Sequence, residues 1–198
     1  MCTGRARRGP SGHNDDMDAS LKGQLLVASP AILDPNFRRT VVLMTEHGDE
    51  GAMGLILNRA AETTVGEAVP DLAWLAGDDI VHVGGPVSPQ SVVVLAEFEE
   101  PTQSALLVED DLGFVPAEVE DTEALADGLG RRRVFAGHAG WGPGQLEAEM
   151  EEESWIVEPA VREDVFTDDP EDLWSRVLRR KGREYALLST MPADPSLN

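Results

Sequence analysis

One cysteine, Cys2, is all the thiol this 198-residue chain carries, and it stands in a polar N-terminal stretch. An internal disulfide and any thiolate-rich zinc or iron–sulfur site are therefore excluded. No apolar run approaches the roughly 18 residues of a membrane span, and the N-terminal stretch lacks the apolar segment of a signal peptide. The sequence thus reads as a soluble, cytosolic protein with no membrane span. Basic residues are also scarce: 16 Lys and Arg stand against 37 Asp and Glu, a formal net charge of −21. Between Ala60 and Gly130 there is neither Lys nor Arg. Such a surface repels phosphate backbones, so direct nucleic-acid binding is disfavoured. Two short basic clusters, Arg131-Arg132-Arg133 and Arg179-Arg180-Lys181, lie beside acidic neighbours and read as solvated surface or a helix C-terminus.

What is present describes an ordinary globular domain. Hydrophobic residues make up 41% and charged residues 27% of the chain, which argues against wholesale disorder. The length suits a single domain. Residues 1–20 are polar and aperiodic and read as a disordered tail ahead of one domain spanning 21–198; Met17 is a second candidate start just before the folded pattern. Apolar and β-branched runs at Leu25–Ala28, Thr40–Met44, Gly54–Asn58, Ile80–Val83, Ser91–Leu95, Leu106–Val108, Arg133–Ala136 and Trp155–Val157 read as strands. Glu46–Gly51 reads as the polar connection of a hairpin. Short helices are expected over Thr63–Trp74, interrupted by Pro70, and over Thr122–Leu129 and Gln145–Glu153.

The last helix has the fullest local specification. Asp169 suits the N-cap, Pro170 the first helical position, and Glu171 and Asp172 the positive end of the dipole. Leu173 with Val177 and Trp174 with Leu178 make an apolar face, and Gly182 follows the basic last turn. Strands followed by strands mixed with short helices predict an α+β domain.

Three groups of residues could carry chemistry. Gly137–Gly144, containing His138 and Trp141, reads as a glycine-rich loop between a strand and a helix, where backbone amides can bind anions. Its glycines fit neither G-x-x-x-x-G-K-[ST] nor G-x-G-x-x-G, and close packing around a buried Trp141 explains them as well. Glu46 and His47, with His82 and His138 elsewhere, could serve a metal or acid–base chemistry, although no H-E-x-x-H is present. His82 lies in an apolar strand, where a hydrogen-bonded core histidine is expected. Ser29, Thr45 and Ser189 are hydroxyls without a G-x-S-x-G elbow. Neither a metal site nor a cofactor is expected.

Taken in order, Gly23–Pro30, Asp34–Val42, Glu46-His47, Glu50–Asn58, Gly84-Gly85-Pro86-Val87, Gly140-Trp141 with Gly144–Glu147, and Trp155 resemble the bacterial YqgE/AlgH family, across Gly23 to Met191. The resemblance implies a single α+β domain with a twisted, partly bulged mixed sheet and flanking short helices, in a cytosolic bacterial protein. It also implies a transcriptional-regulator label that rests on a genetic association, and it supplies no catalytic set. Many relatives carry cysteine at the position of Thr45 and tyrosine at that of His138, so thiol chemistry does not transfer. It directs attention to Asp34, Arg38, Glu46, His47, Asn58, Gly84, Gly85, Pro86 and Trp141, together with His138, as a candidate functional surface or as architecture. The expected function is a non-enzymatic regulatory or protein-interaction role, with an unknown protein partner and at most indirect effects on transcription. The alternative is a small-molecule- or metal-dependent enzyme using the Glu46-His47 and Gly137–Gly144 loops.

Overall fold

The computed structural model describes residues 20–119 and 121–191. The expected tail, with Cys2 and Met17, lies outside them apart from Ser20, as do Pro192 and Pro195. In chain order the elements are β1 (Gln24–Ala28), β2 (Val41–Gly48), β3 (Gly51–Ile56), β4 (Ala60–Thr64), α1 (Val65–Ala68), α2 (Ala73–Ala76), β5 (Ile80–Val83), β6 (Val87–Phe98), β7 (Leu106–Glu109) and β8 (Leu112–Phe114). There follow α3 (Thr122–Asp127), β9 (Leu129–Trp141), α4 (Gln145–Glu151), β10 (Trp155–Pro159), α5 (Arg162–Val165), α6 (Pro170–Lys181) and α7 (Arg183–Leu188).

All the strands belong to one mixed sheet in the order β10-β1-β2-β3-β9-β6-β8-β7, with β4 and β5 joining through β9. Every pairing is antiparallel except β5 with β9. Bulges interrupt the register between Met44 and Glu46 and between Val87 and Val92. The α+β class is as the sequence predicts, and the bulged mixed sheet in a single domain is as the family resemblance implies.

Strand β9 organises the molecule. Its C-terminal part pairs with β3, its centre with β5, and its other edge with β6. The unbroken apolar run of β1 follows from burial on both sides of the sheet, because successive side chains point to opposite faces. Leu25 and Val27 enter the core beneath α5 and α6, with Leu173, Trp174, Val177 and Leu178. Leu26 and Ala28 enter the core on the other face, with Trp141, Leu146 and Trp155. A further core gathers Val65, Leu75, Val81, Val94, Leu125 and Val134.

Helix α6 begins as its sequence predicts: the Asp169 side chain accepts from the Asp172 amide at 3.2 Å, with Pro170 in the first turn. Its basic C-terminus does more than balance the dipole. Arg180 pairs with buried Asp164 at 2.6 Å, while Arg180 and Lys181 donate to the Pro159 and Val157 carbonyls of β10. These alternate carbonyls lie on a strand whose only ladder partner is β1 among the described residues.

Several boundaries depart from the sequence expectation. Glu46, His47 and Gly48 continue β2, so the hairpin turn is only Asp49-Glu50. Gly137–Trp141 is strand rather than loop, because the rest of the ladder holds it despite its glycines. Ala60–Thr64, which has no apolar alternation, is a strand against β5.

Candidate functional site

The motif residues converge on the ladder β2-β3-β9. His47 lies opposite Ala52, and Ala52 opposite Trp141; Glu46 lies opposite Met53, and Met53 opposite Gly140. Partners across an antiparallel ladder share a face, and neighbours along a strand do not. His47 and Trp141 therefore face one side of the sheet, whereas Glu46 and His138 face the other. Gly84-Gly85 closes the group. Gly84 donates to the Ala136 carbonyl and accepts from the Ile56 amide, both at 2.8 Å. A Cβ on Gly84 would lie 2.3 Å from the Gly137 carbonyl oxygen, and one on Gly85 would lie 2.2 Å from the His138 backbone. The contact is backbone against backbone, which only glycine permits. Pro86 follows, exposed.

On the Trp141 side the polar atoms are engaged. The Leu21 amide donates to His47 Nδ1 at 3.1 Å, which leaves the proton on Nε2, and Nε2 donates to Glu147 at 2.9 Å. A hydrogen bond from its own backbone amide, followed by this bond, lowers the Glu147 carboxyl pKa. Trp141 is 5% exposed, and its indole N–H meets Glu149 Oε2 at 2.9 Å; the indole of Trp155 reaches the same oxygen at 2.8 Å. Gln145 donates to the other oxygen of Glu149 at 2.9 Å. Phe37 packs on both indoles, with ring centroids 6.2 and 5.8 Å away.

The remaining motif residues divide between turn-closing contacts and open surface. Asn58 accepts from the Val41 amide at 2.9 Å and donates to the Arg39 carbonyl at 2.8 Å, closing the end of the β2-β3 hairpin. Asp34 accepts from the Asn36 amide at 2.7 Å in an exposed turn. Arg38 is exposed and has no carboxylate within 4 Å among the described residues; its carbonyl accepts from Arg59. Glu46 is exposed and His138 half-exposed. The hydroxyls are equally local: Ser29 accepts from Ala31, Thr45 donates to Met53, and Ser189 donates to Ala186. No group of three or more His, Cys, Asp and Glu side chains among the described residues is placed to hold a metal.

A second region, unmarked by any motif, is a cleft of about 580 Å³ between β5, β9 and the α5–α6 connector. Register places Ala60, His82 and Phe135 side by side on one face, and Arg133, two residues from Phe135, shares it. Phe166, Thr167, Asp168 and Pro170 form the opposite wall. One sequence expectation fails here. Arg133 is not solvated surface but 8% exposed, donating to the carbonyls of Leu57, at 3.4 Å, and of Thr167. His82 is also 8% exposed, yet its Nδ1 is buried without a hydrogen bond. Burial, and then the charge of Arg133, push the His82 pKa down to about 4, against a hydrogen bond with the Ile80 backbone that raises it. Burial lowers the Arg133 pKa to about 10, opposed by Asp168 and Asp79. Arg131, by contrast, is fully paired, with two bonds to Glu97 at 3.1 and 2.7 Å.

A model of the AlgH-like family matches residues 25–186. The chain belongs to this AlgH-like family. A UPF0301 protein of Streptomyces coelicolor is 44% identical over 187 residues, covering 91% of this chain and 96% of that one. Another, from Chlorobaculum tepidum, is 41% identical and covers 89% and 95%. A crystal structure of a Corynebacterium diphtheriae protein superposes with a TM-score of 0.78 at 30% identity, covering 88% of this chain and 93% of that one. The solution structure of the AlgH protein from Pseudomonas aeruginosa gives 0.65 at 28% identity, covering 93% and 98%. Within the AlgH-like domain, sequence reasoning missed Glu149 and the His82–Arg133 cleft. Glu149 had one available signal, its position between two tryptophans; His82 and Arg133 each stood out in the sequence, but nothing joined them, since the cleft's walls come from segments far apart in the chain.

Proposed function

We propose that this AlgH-like chain is a non-enzymatic, cytoplasmic bacterial protein that acts through a protein partner and affects transcription only indirectly. The observation that carries this reading is the division of the motif residues. Glu46 and His138 stand on one face of the sheet, His47 and Trp141 on the other, and the ring nitrogens of His47 and Trp141 are engaged by Leu21, Glu147 and Glu149. A general acid–base pair needs its groups within reach of one reacting atom; Glu46 and His47 are turned to opposite faces, and His47 is bonded at both ring nitrogens. The enzyme alternative on Glu46-His47 and Gly137–Gly144 draws no support from this arrangement. No helix among the described residues is long and apolar enough to cross a membrane.

The net charge of −21 favours a partner with a basic surface and steers such an encounter at low ionic strength. The test is capture from bacterial lysate by the full chain, followed by direct binding of the purified partner at rising salt. A saturable complex that weakens with salt supports the reading. Repeated capture of no direct binder, or turnover abolished by Glu46→Gln together with His138→Ala, overturns it.

A further inference from the structure

The cleft beside β9 has the properties of a ligand site that the motif ladder lacks. A guanidinium has five N–H donors in a rigid fork, and Arg133 directs only part of that fork to the Leu57 and Thr167 carbonyls. No carboxylate lies within ion-pair distance of it among the described residues, although the chain has 37 Asp and Glu to offer one. A buried cation with no carboxylate in contact is costly unless something pairs with it. His82, nine-tenths buried, brings a second unsatisfied polar atom to the same face. Asp79 and Asp168 line the cleft but stand too far from Arg133 to bond it, while close enough to act on it through space. Ile80, 40% exposed, and Phe166 supply apolar surface beside them. The volume falls within the roughly 300–1,000 Å³ typical of small-molecule sites.

We propose that this cleft binds a small zwitterion of the free amino-acid type, with its carboxylate on the Arg133 fork and its ammonium facing Asp168 and Asp79. A planar carboxylate matches the guanidinium fork two bonds at a time. Arg131, committed to Glu97, and Arg132 also line the cleft, so a multiply charged anion such as phosphate is the rival occupant, opposed by the two acidic side chains; an amine alone would leave Arg133 uncompensated. The side chain of the ligand would lie against Ile80 and Phe166. This site is separate from the motif ladder, so it stands or falls independently of the partner reading.

The test is an NMR titration of the full chain, following the His82 ring signals and the Arg133 Nε–H. The additions are a panel of free amino acids, a carboxylate and an alkylamine of matched size, and inorganic phosphate. The expected result is a saturable movement of the His82 and Arg133 signals with at least one amino acid, and none with the single-ended analogues. Asp168 is exposed, so Asp168→Asn should fold normally and weaken binding by about tenfold. Arg133→Met should abolish it; if that variant fails to fold, Asp168→Asn carries the test. Silence of both signals toward every amino acid at millimolar concentration overturns the proposal. So does phosphate binding more tightly than any amino acid, or undiminished binding by Asp168→Asn.

Discussion

The motif ladder and the cleft lie along the same strand, β9, and they treat polar groups in opposite ways. Around Trp141 one carboxylate answers two indoles and an amide side chain, and His47 is bonded at both ring nitrogens. Around Arg133 a histidine nitrogen has no partner, and the guanidinium has only carbonyls. Satisfied networks rigidify a fold, whereas unsatisfied buried groups carry a standing free-energy cost. The most heavily bonded motif residues therefore hold the fold together, while the cleft gathers polar groups that the fold leaves unpaired.

The sharpest way to break the contrast is at the glycine contact. Gly84→Ala places a methyl 2.3 Å from the Gly137 carbonyl oxygen, where only backbone movement can relieve the clash. A loss of about 3–5 kcal/mol, or failure to fold, is expected in urea denaturation. Next comes Glu149→Ala, which leaves both indole N–H groups without their acceptor. It should cost about 2–3 kcal/mol, with a blue-shifted or broadened tryptophan emission change on unfolding, and Glu149→Gln should recover part of the loss. A variant within about 0.5 kcal/mol of the parent would show that the clamp is not structural.

The smallest effect belongs to the cleft and depends on pH. His82 titrates at about 4 in the folded chain against about 6.5 when unfolded. The unfolded state therefore binds the proton first. The stability this contributes is complete above pH ~6.5 and disappears as pH falls toward 4. Allowing for partial solvation, the loss should be about 1–2 kcal/mol. Comparison of denaturation curves for the parent and His82→Gln at pH 7 and pH 5 reads it directly. An equal pH dependence in both would place the titrating group elsewhere.

Legibility in the sequence followed the range of the interactions. Helix α6 was readable because its cap, its Pro170, its i, i+4 apolar pairs and its basic last turn are all local. The apolar strands were readable because burial on one or both faces writes itself as hydrophobic residues. Strand β4 was not, since Ala60–Thr64 is held by pairing to β5 rather than by apolar side chains. Gly137–Trp141 suggested a loop because glycine ordinarily marks one, while here it permits the approach of Gly84-Gly85. The converging motifs were legible as a group, but their division between two faces depends on register and on the bulge after Met44. Arg133 resembled any surface arginine until Leu57 and Thr167 were brought over it by tertiary structure.

The end of α6 has a final consequence, for behaviour in crowded or heated solution. A bare outer strand offers its carbonyls to any passing extended chain and so seeds intermolecular pairing. Arg180 and Lys181 occupy the Val157 and Pro159 carbonyls of β10 with cations, which turns that side of the sheet into a charged, already-bonded border. Fraying of the helix tip would uncover it while the rest of the domain is still folded, making loss of these contacts the step that admits strand-to-strand aggregation.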